Sequence, residues 1–308
     1  RSSVQDAPSN SPRSLGGALM IALAACGWGT WSLFFRPAEA RGVKSAALEA
    51  FIVFSVIFVT AMPLALRDRP RRRRPPKVWF WVGCMGVFDA LNALLFFWAM
   101  QKTTLAVAVL SHYLAPVLVA VGAPLVLGER LTRRRGVALG VALTGLAVLL
   151  EPWRELGPGV GIGASLGAGS AVFFAASLLT AKRWGAELAP TEILVWHMPT
   201  ALATLACFLP EGAFSVDSAA LGLLVLGGIG PGAVGGVLFI RGLDRVEASR
   251  ASILMLLEPV VAVVVGIAFF GEVPRWAVLF GGITVLAGAR EVLAPESPVV
   301  QESRGDHA

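Results

Sequence analysis

Apolar residues fill this chain in long blocks between Leu15 and Val292, broken at short intervals by charge, proline and glycine. Ten blocks can be marked: Leu15–Phe35, Ala46–Leu66, Val78–Met100, Leu105–Leu127, Gly136–Leu150, Gly159–Thr180, Thr191–Leu209, Ser218–Ile240, Ala248–Phe270 and Trp276–Val292. Most reach the ~20 residues that a helix needs to cross the hydrocarbon core of a bilayer; the fifth and tenth are short. The connections run to a dozen residues at most, too short to fold as a domain outside the membrane. The pattern predicts an all-α polytopic membrane protein of ten transmembrane helices. Composition agrees, with 56% hydrophobic and 15% charged residues against the ~25% charge of soluble domains.

Residues 1–14 and 293–308 are polar and rich in Pro or Ser and are expected to be disordered tails. The first block lacks a small-residue cleavage site at its end, so it is expected to be a retained helix and not a signal peptide. Cys26, Cys84 and Cys207 stand singly in apolar blocks without a CxxC and read as packing residues. The three histidines show no metal-ligand spacing, so no metal or other cofactor is expected.

The net charge of +6 and the run "RPRRRRPPK" would suit nucleic acid if they stood alone. Their distribution says otherwise. With the N-terminus cytoplasmic, 20 of the 26 Lys and Arg fall on inner ends and loops, and only Arg36, Arg41, Lys44, Lys102, Arg154 and Arg275 fall outside. The positive-inside rule predicts that bias. The expectation is a multi-pass inner-membrane protein with both termini cytoplasmic, whose basic run sets topology and touches anionic lipid, and no nucleic-acid partner.

The chain also matches itself at an offset of 143 residues. Glu49 falls on Glu192, Phe96 on Phe239, Pro116 on Pro259, Gly128-Glu129 on Gly271-Glu272 and Gly145 on Gly288. Proline, Gly-Glu and a loop-edge Glu at one offset indicate a duplicated five-helix unit, residues 15–150 and 159–292. Because five is odd, the second unit enters the membrane from the opposite side. Inverted repeats recur in secondary transporters, where substrate sits between the repeats near the midplane and the halves exchange roles.

The segments "LSHYLAPVLVAVGAPLVLGERLT" and "ILMLLEPVVAVVVGIAFFGEVP" resemble the fourth and ninth helices of the EamA family in the drug/metabolite transporter superfamily, and "GASLGAGSAVFFAASLLTAKRW" resembles its sixth. The shared motif is a mid-helix Pro followed about a dozen residues later by Gly-Glu, once per half. The resemblance covers residues 15 to 292. It implies a ten-helix exporter or importer of small metabolites, with a central cavity lined by both halves, and leaves the substrate open.

Inside the apolar blocks a few polar residues stand out. A carboxylate at bilayer depth costs on the order of 2–4 kcal/mol on insertion scales, so Glu258 should face protein or a watery cavity. It sits beside Pro259, which removes a backbone donor and frees carbonyls. Its repeat mate is Ala115, so the carboxylate is not needed for the kink itself; a hydrogen-bonded brace remains the alternative role, since Leu-Glu-Pro is common in the second half of the EamA family. Asp89, at the midpoint of the third block, shares a helix face with Asn92 and Phe96. Its mate, Gly232, lies in "GGIGPGAVGG", where the glycines and Pro231 should break or kink the eighth helix and let backbone approach a ligand or a neighbouring helix. Trp28 and Trp31, expected on one face of the first helix, complete the candidate site with His112 and Tyr113. Two acids with aromatic faces suit an organic cation, and the same acids suit proton coupling. His197 reads as a structural hydrogen-bonder.

The leading reading is a secondary transporter, not an enzyme, that moves a small polar metabolite (organic cation, amino acid or related zwitterion, or drug) by alternating access, as a monomer or homodimer. The alternatives are an intramembrane enzyme using Asp89 and Glu258 as an acid/base pair, which lacks an accompanying serine or metal motif, and a passive channel, which would want rings of like residues. There is no Walker motif for ATP.

Overall fold

The computed structural model describes residues 12–68, 74–129, 131–154, 159–185, 187–273 and 275–293. Most of both tails and of the basic run lies outside them. Among the described residues the chain is helical, with no strand. In chain order the helices are α1 (Pro12–Trp28), α2 (Ser32–Glu39), α3 (Ala46–Arg67), α4 (Pro76–Lys102), α5 (Leu105–His112), α6 (Ala115–Leu127), α7 (Arg133–Leu150) and α8 (Val160–Gly185). There follow α9 (Pro190–Trp196), α10 (Met198–Ala206), α11 (Ser218–Gly227), a π-helical turn (Gly228–Val234), α12 (Gly235–Leu243), α13 (Ala248–Leu254), α14 (Leu257–Phe270) and α15 (Trp276–Leu293).

Polar caps start several of these helices. Ser45, Thr104, Thr132 and Asp217 each accept the amide hydrogen three residues on, at 3.1–3.4 Å, which satisfies one of the free donors of a first turn. Gly128 and Gly271 end α6 and α14 at φ 74° and 69°, the left-handed conformation that glycine adopts without steric cost.

Among the described residues seven helices are long and apolar enough to cross a membrane: Leu15–Glu39, Ala46–Arg67, Pro76–Lys102, Leu105–Leu127, Val160–Gly185, Ser218–Leu243 and Ala248–Phe270. The other three expected blocks are helical but shorter. α7 and α15 have 18 residues each, and α7 opens on three arginines. The seventh block is divided at His197, just before Pro199, into α9 and α10. Val59, Leu125, Phe269 and Trp276 are among many large apolar side chains left exposed, a surface suited to lipid rather than water.

Small residues hold the bundle together. α7 packs along α15, where a Cβ on Gly145 would meet the backbone of Gly281 and Val285, and one on Gly288 would meet Ala138 and Ala142. At the 143-residue offset Gly145 corresponds to Gly288, Ala138 to Gly281 and Ala142 to Val285, so the contact is reciprocal. Adding 143 to the bounds of α7 gives those of α15, and α6 and α14 likewise end together. Close approach through small residues is how helices associate where no hydrophobic gradient drives them.

Candidate functional site

Two interrupted helices face one another across the middle of the bundle. α5 stops at His112 and α6 starts at Ala115, while α13 stops at Leu254 and α14 starts at Leu257. Pro116 is the second residue of α6 and Pro259 the third of α14, both in a first turn, where a missing N–H costs little. The carboxyl of Glu258 projects from the second break and the phenol of Tyr113 from the first, and the two face one another. Tyr113 is buried and Glu258 is half-buried. Gly29, in the turn between α1 and α2, packs on the backbone at Glu258 and the Val261 side chain without room for a Cβ. A third interruption therefore meets the second.

Beside Tyr113, His112 Nδ1 lies 2.7 Å from Ser170 Oγ, and Ser170 donates to Asn92 Oδ1 at 2.9 Å. A serine hydroxyl has a single hydrogen, so with that hydrogen on Asn92 the bond from His112 must be donated by Nδ1–H. Ser170 is fully buried on α8, and Phe96 and Phe174 flank the imidazole at ring distances of 4.6 and 5.6 Å. The chain thus brings Asn92, Phe96, His112 and Tyr113 together as one cluster adjoining Glu258.

Asp89, one turn before Asn92 on α4, turns to a different neighbour. Its Oδ2 is 3.0 Å from Nε2 of His197. The α4–α10 crossing that sets this contact is tight: a Cβ on Gly86 would collide with the His197 carbonyl and Thr200, and Thr200 donates to the Gly83 carbonyl at 2.9 Å. Among the described residues no lysine or arginine pairs with Asp89 or Glu258.

Trp28 and Trp31 do not share one helix face, because the turn at 29–31 separates them. The Trp28 indole donates to the Pro231 carbonyl at 2.8 Å and leans on Phe239, with ring centroids 5.1 Å apart. Trp31 stacks on Phe35 at 5.0 Å. The eighth block is not broken at its glycines. It passes through a π-helical turn at 228–234, which absorbs the donor missing at Pro231. Gly232 in that turn packs against Ile57. Reading the sequence missed Ser170 and gave His197 no acid to hold; a serine or histidine in a small-residue, apolar helix was the available signal.

The family model of the EamA-like transporter family matches residues 15–151 and again 161–293. The chain belongs to that family. A relative from Archaeoglobus fulgidus, named "Uncharacterized transporter", is 33% identical over 273 residues, covering 88% of this chain and 94% of its own. A protein of Streptantibioticus cattleyicolor, named "Probable terminal-alkyne amino-acid exporter", is 29% identical over 84% of this chain and 88% of its own. A "Riboflavin transporter" of Rhizobium johnstonii is 24% identical over 92% and 93%. One solved crystal structure superposes with a TM-score of 0.77 at 22% identity, over 90% of this chain and 97% of the other, a likeness of fold alone. The family and the seven apolar helices make this EamA-like protein a multi-pass membrane transporter.

Proposed function

We propose that this EamA-like protein is a secondary transporter that moves a small polar metabolite across the inner membrane by alternating access, with two inverted five-helix repeats and both termini cytoplasmic. The observation that carries the reading is the pair of interior acids. Asp89 and Glu258 sit at helix crossings and breaks in an apolar bundle, each facing a ring or phenol and, among the described residues, neither facing a lysine or arginine. Keeping a carboxylate at such depth is costly unless it works on an ion or a polar substrate. Asn92, Phe96, His112, Tyr113, Trp28, Trp31 and the backbone at Gly232 form the rest of the substrate site in this reading, and Asp89 and Glu258 couple it to a proton. Relatives named for an amino-acid exporter and a riboflavin transporter are compatible with substrates of this size. The reciprocal α7–α15 contact and the twofold match of the family model support the repeat arrangement.

The test is uptake of labelled amino acids and amines into proteoliposomes, with and without a pH gradient. Accumulation that follows the gradient and disappears in Asp89→Asn is expected. Unchanged transport by Asp89→Asn would remove Asp89 from the site. A cysteine placed at position 132 should resist external labelling, and its modification from outside would overturn the orientation.

A further inference from the structure

His197 stands at the junction of α9 and α10, and its ring is 3% exposed. Nδ1 lies 2.7 Å from the carbonyl oxygen of Ile193. A carbonyl only accepts, so Nδ1 carries a hydrogen. The other nitrogen, Nε2, is buried and makes no hydrogen bond, although a carboxyl oxygen of Asp89 lies 3.0 Å from it. A bare Nε2 and an ionised carboxylate both present lone pairs, and two acceptors at that distance repel. A proton between them removes the conflict. It is held either as imidazolium facing carboxylate or as imidazole facing carboxylic acid, and the two forms have the same proton count and the same net charge.

We infer that Asp89 and His197 together form one binding site for a single exchangeable proton. This deepens the transporter reading above by giving the proton a second ligand, which the acid alone did not identify. The Asp89 side chain is 22% exposed while His197 is closed off, so the proton enters and leaves on the Asp89 side. Release to water leaves one net negative charge on the pair and sets two acceptors against each other across the α4–α10 crossing. Proton occupancy and the fit of these two helices are thereby tied.

Other ionisable groups on the packed helices are engaged elsewhere or lie at helix ends. Glu192 of α9 binds Arg74 at 2.9 Å, and Asp68, following α3, faces Arg241 of α12 at 3.5 Å. Lys182 of α8 donates to the carbonyls of Leu243 and Val246, while Lys77 and Arg183 lie over the Trp184 ring. Arg67 and Lys102 lie in the last turns of α3 and α4. Glu49 is buried in the first turn of α3, and among the described residues no bond joins it to Asp89 or His197.

The experiment is nitrogen NMR of protein labelled at histidine, in lipid bilayers, combined with infrared spectroscopy of its carboxylic acids. Only three histidines contribute, and His197→Gln assigns the signal. As pH is raised, the pair should lose one proton in a single step, seen as loss of the Nε2–H signal or of the Asp89 acid band. In Asp89→Asn the side-chain amide donates to Nε2, so that step should vanish and the nitrogen should stay bare throughout. Absence of both the Nε2–H signal and the acid band from the parent at its lowest folded pH overturns the site, as does an unaltered step in Asp89→Asn. Should Asp89→Asn fail to fold, proton release from His197→Gln after a pH jump serves instead: one proton fewer per chain than the parent supports the site, and an equal count sinks it. Proteoliposomes that transport nothing while the step is present would reject the coupling reading and leave the proton site standing.

Discussion

The α5–α6 and α13–α14 breaks share a backbone and differ in chemistry. Each follows the same order: a helix of one or two turns, a non-helical pair, a helix with proline in its first turn, and a left-handed glycine at its end. The first presents Ala115, 1% exposed, where the second presents Glu258. Because the break forms equally well with a methyl group, the carboxyl is not needed to mend the backbone. The following Gly-Glu pairs diverge in the same way. Glu129 accepts from the amides of Ala248 and Ser249 at 2.9 and 3.4 Å, capping α13, which carries the favourable charge for a helix start. Glu272 instead pairs with Arg36 at 2.8 Å, and Arg36 lies over the Phe270 ring. The two breaks share a backbone path, and the departures between them carry the polar chemistry.

The harshest way to break this comparison is Ala115→Glu, which makes the first break resemble the second. The site is closed, with Ala115 1% exposed, so the protein should lose about 2.5–3.5 kcal/mol, the insertion cost of an acid at a helix centre. Thermal unfolding in detergent reads this loss, and a melting temperature like the parent's would mean that the two breaks are equally hospitable to an acid.

Glu258→Gln tests the other side. The amide keeps the size and an acceptor for Tyr113, so folding should survive while gradient-driven accumulation falls at least about tenfold, equivalent to ~1.4 kcal/mol. Parent-like transport in this variant, with Glu258→Ala merely less stable, would make the carboxyl a brace.

Gly271→Ala has free space for its methyl group, so its cost is conformational alone, about 1 kcal/mol for a left-handed alanine. Gly128→Ala should match it. Unequal shifts in melting temperature would show that the helix ends are less alike than their dihedral angles.

Smallest of all, Glu129→Gln should remove about 0.3–1 kcal/mol of charge–dipole stabilisation at α13. High salt should narrow its difference from the parent, and a difference indifferent to salt would assign the loss to packing.

Much of this was legible along the chain. The apolar blocks became helices, and the offset that pairs Pro116 with Pro259 also pairs the ends of α7 with those of α15. Asp89, Asn92 and Phe96 share a face because helical period alone puts them there. The site's partners were less legible. Asn92 and His112 needed Ser170 of α8 to join them, and the carbonyl at Pro231 was taken up by the Trp28 indole.

The sequence by itself determined which stretches are helical, which are apolar enough for lipid and which positions repeat, since caps, prolines, glycines and apolar runs act over a few residues. Only the tertiary structure decided that Asp89 meets His197 and that Tyr113 meets Glu258. Those contacts depend on how far each helix is rotated about its axis and how closely it crosses its neighbour. At the α4–α10 crossing that is set by the missing side chain of Gly86 against His197 and Thr200, a fit between residues far apart in the chain that no local pattern contains.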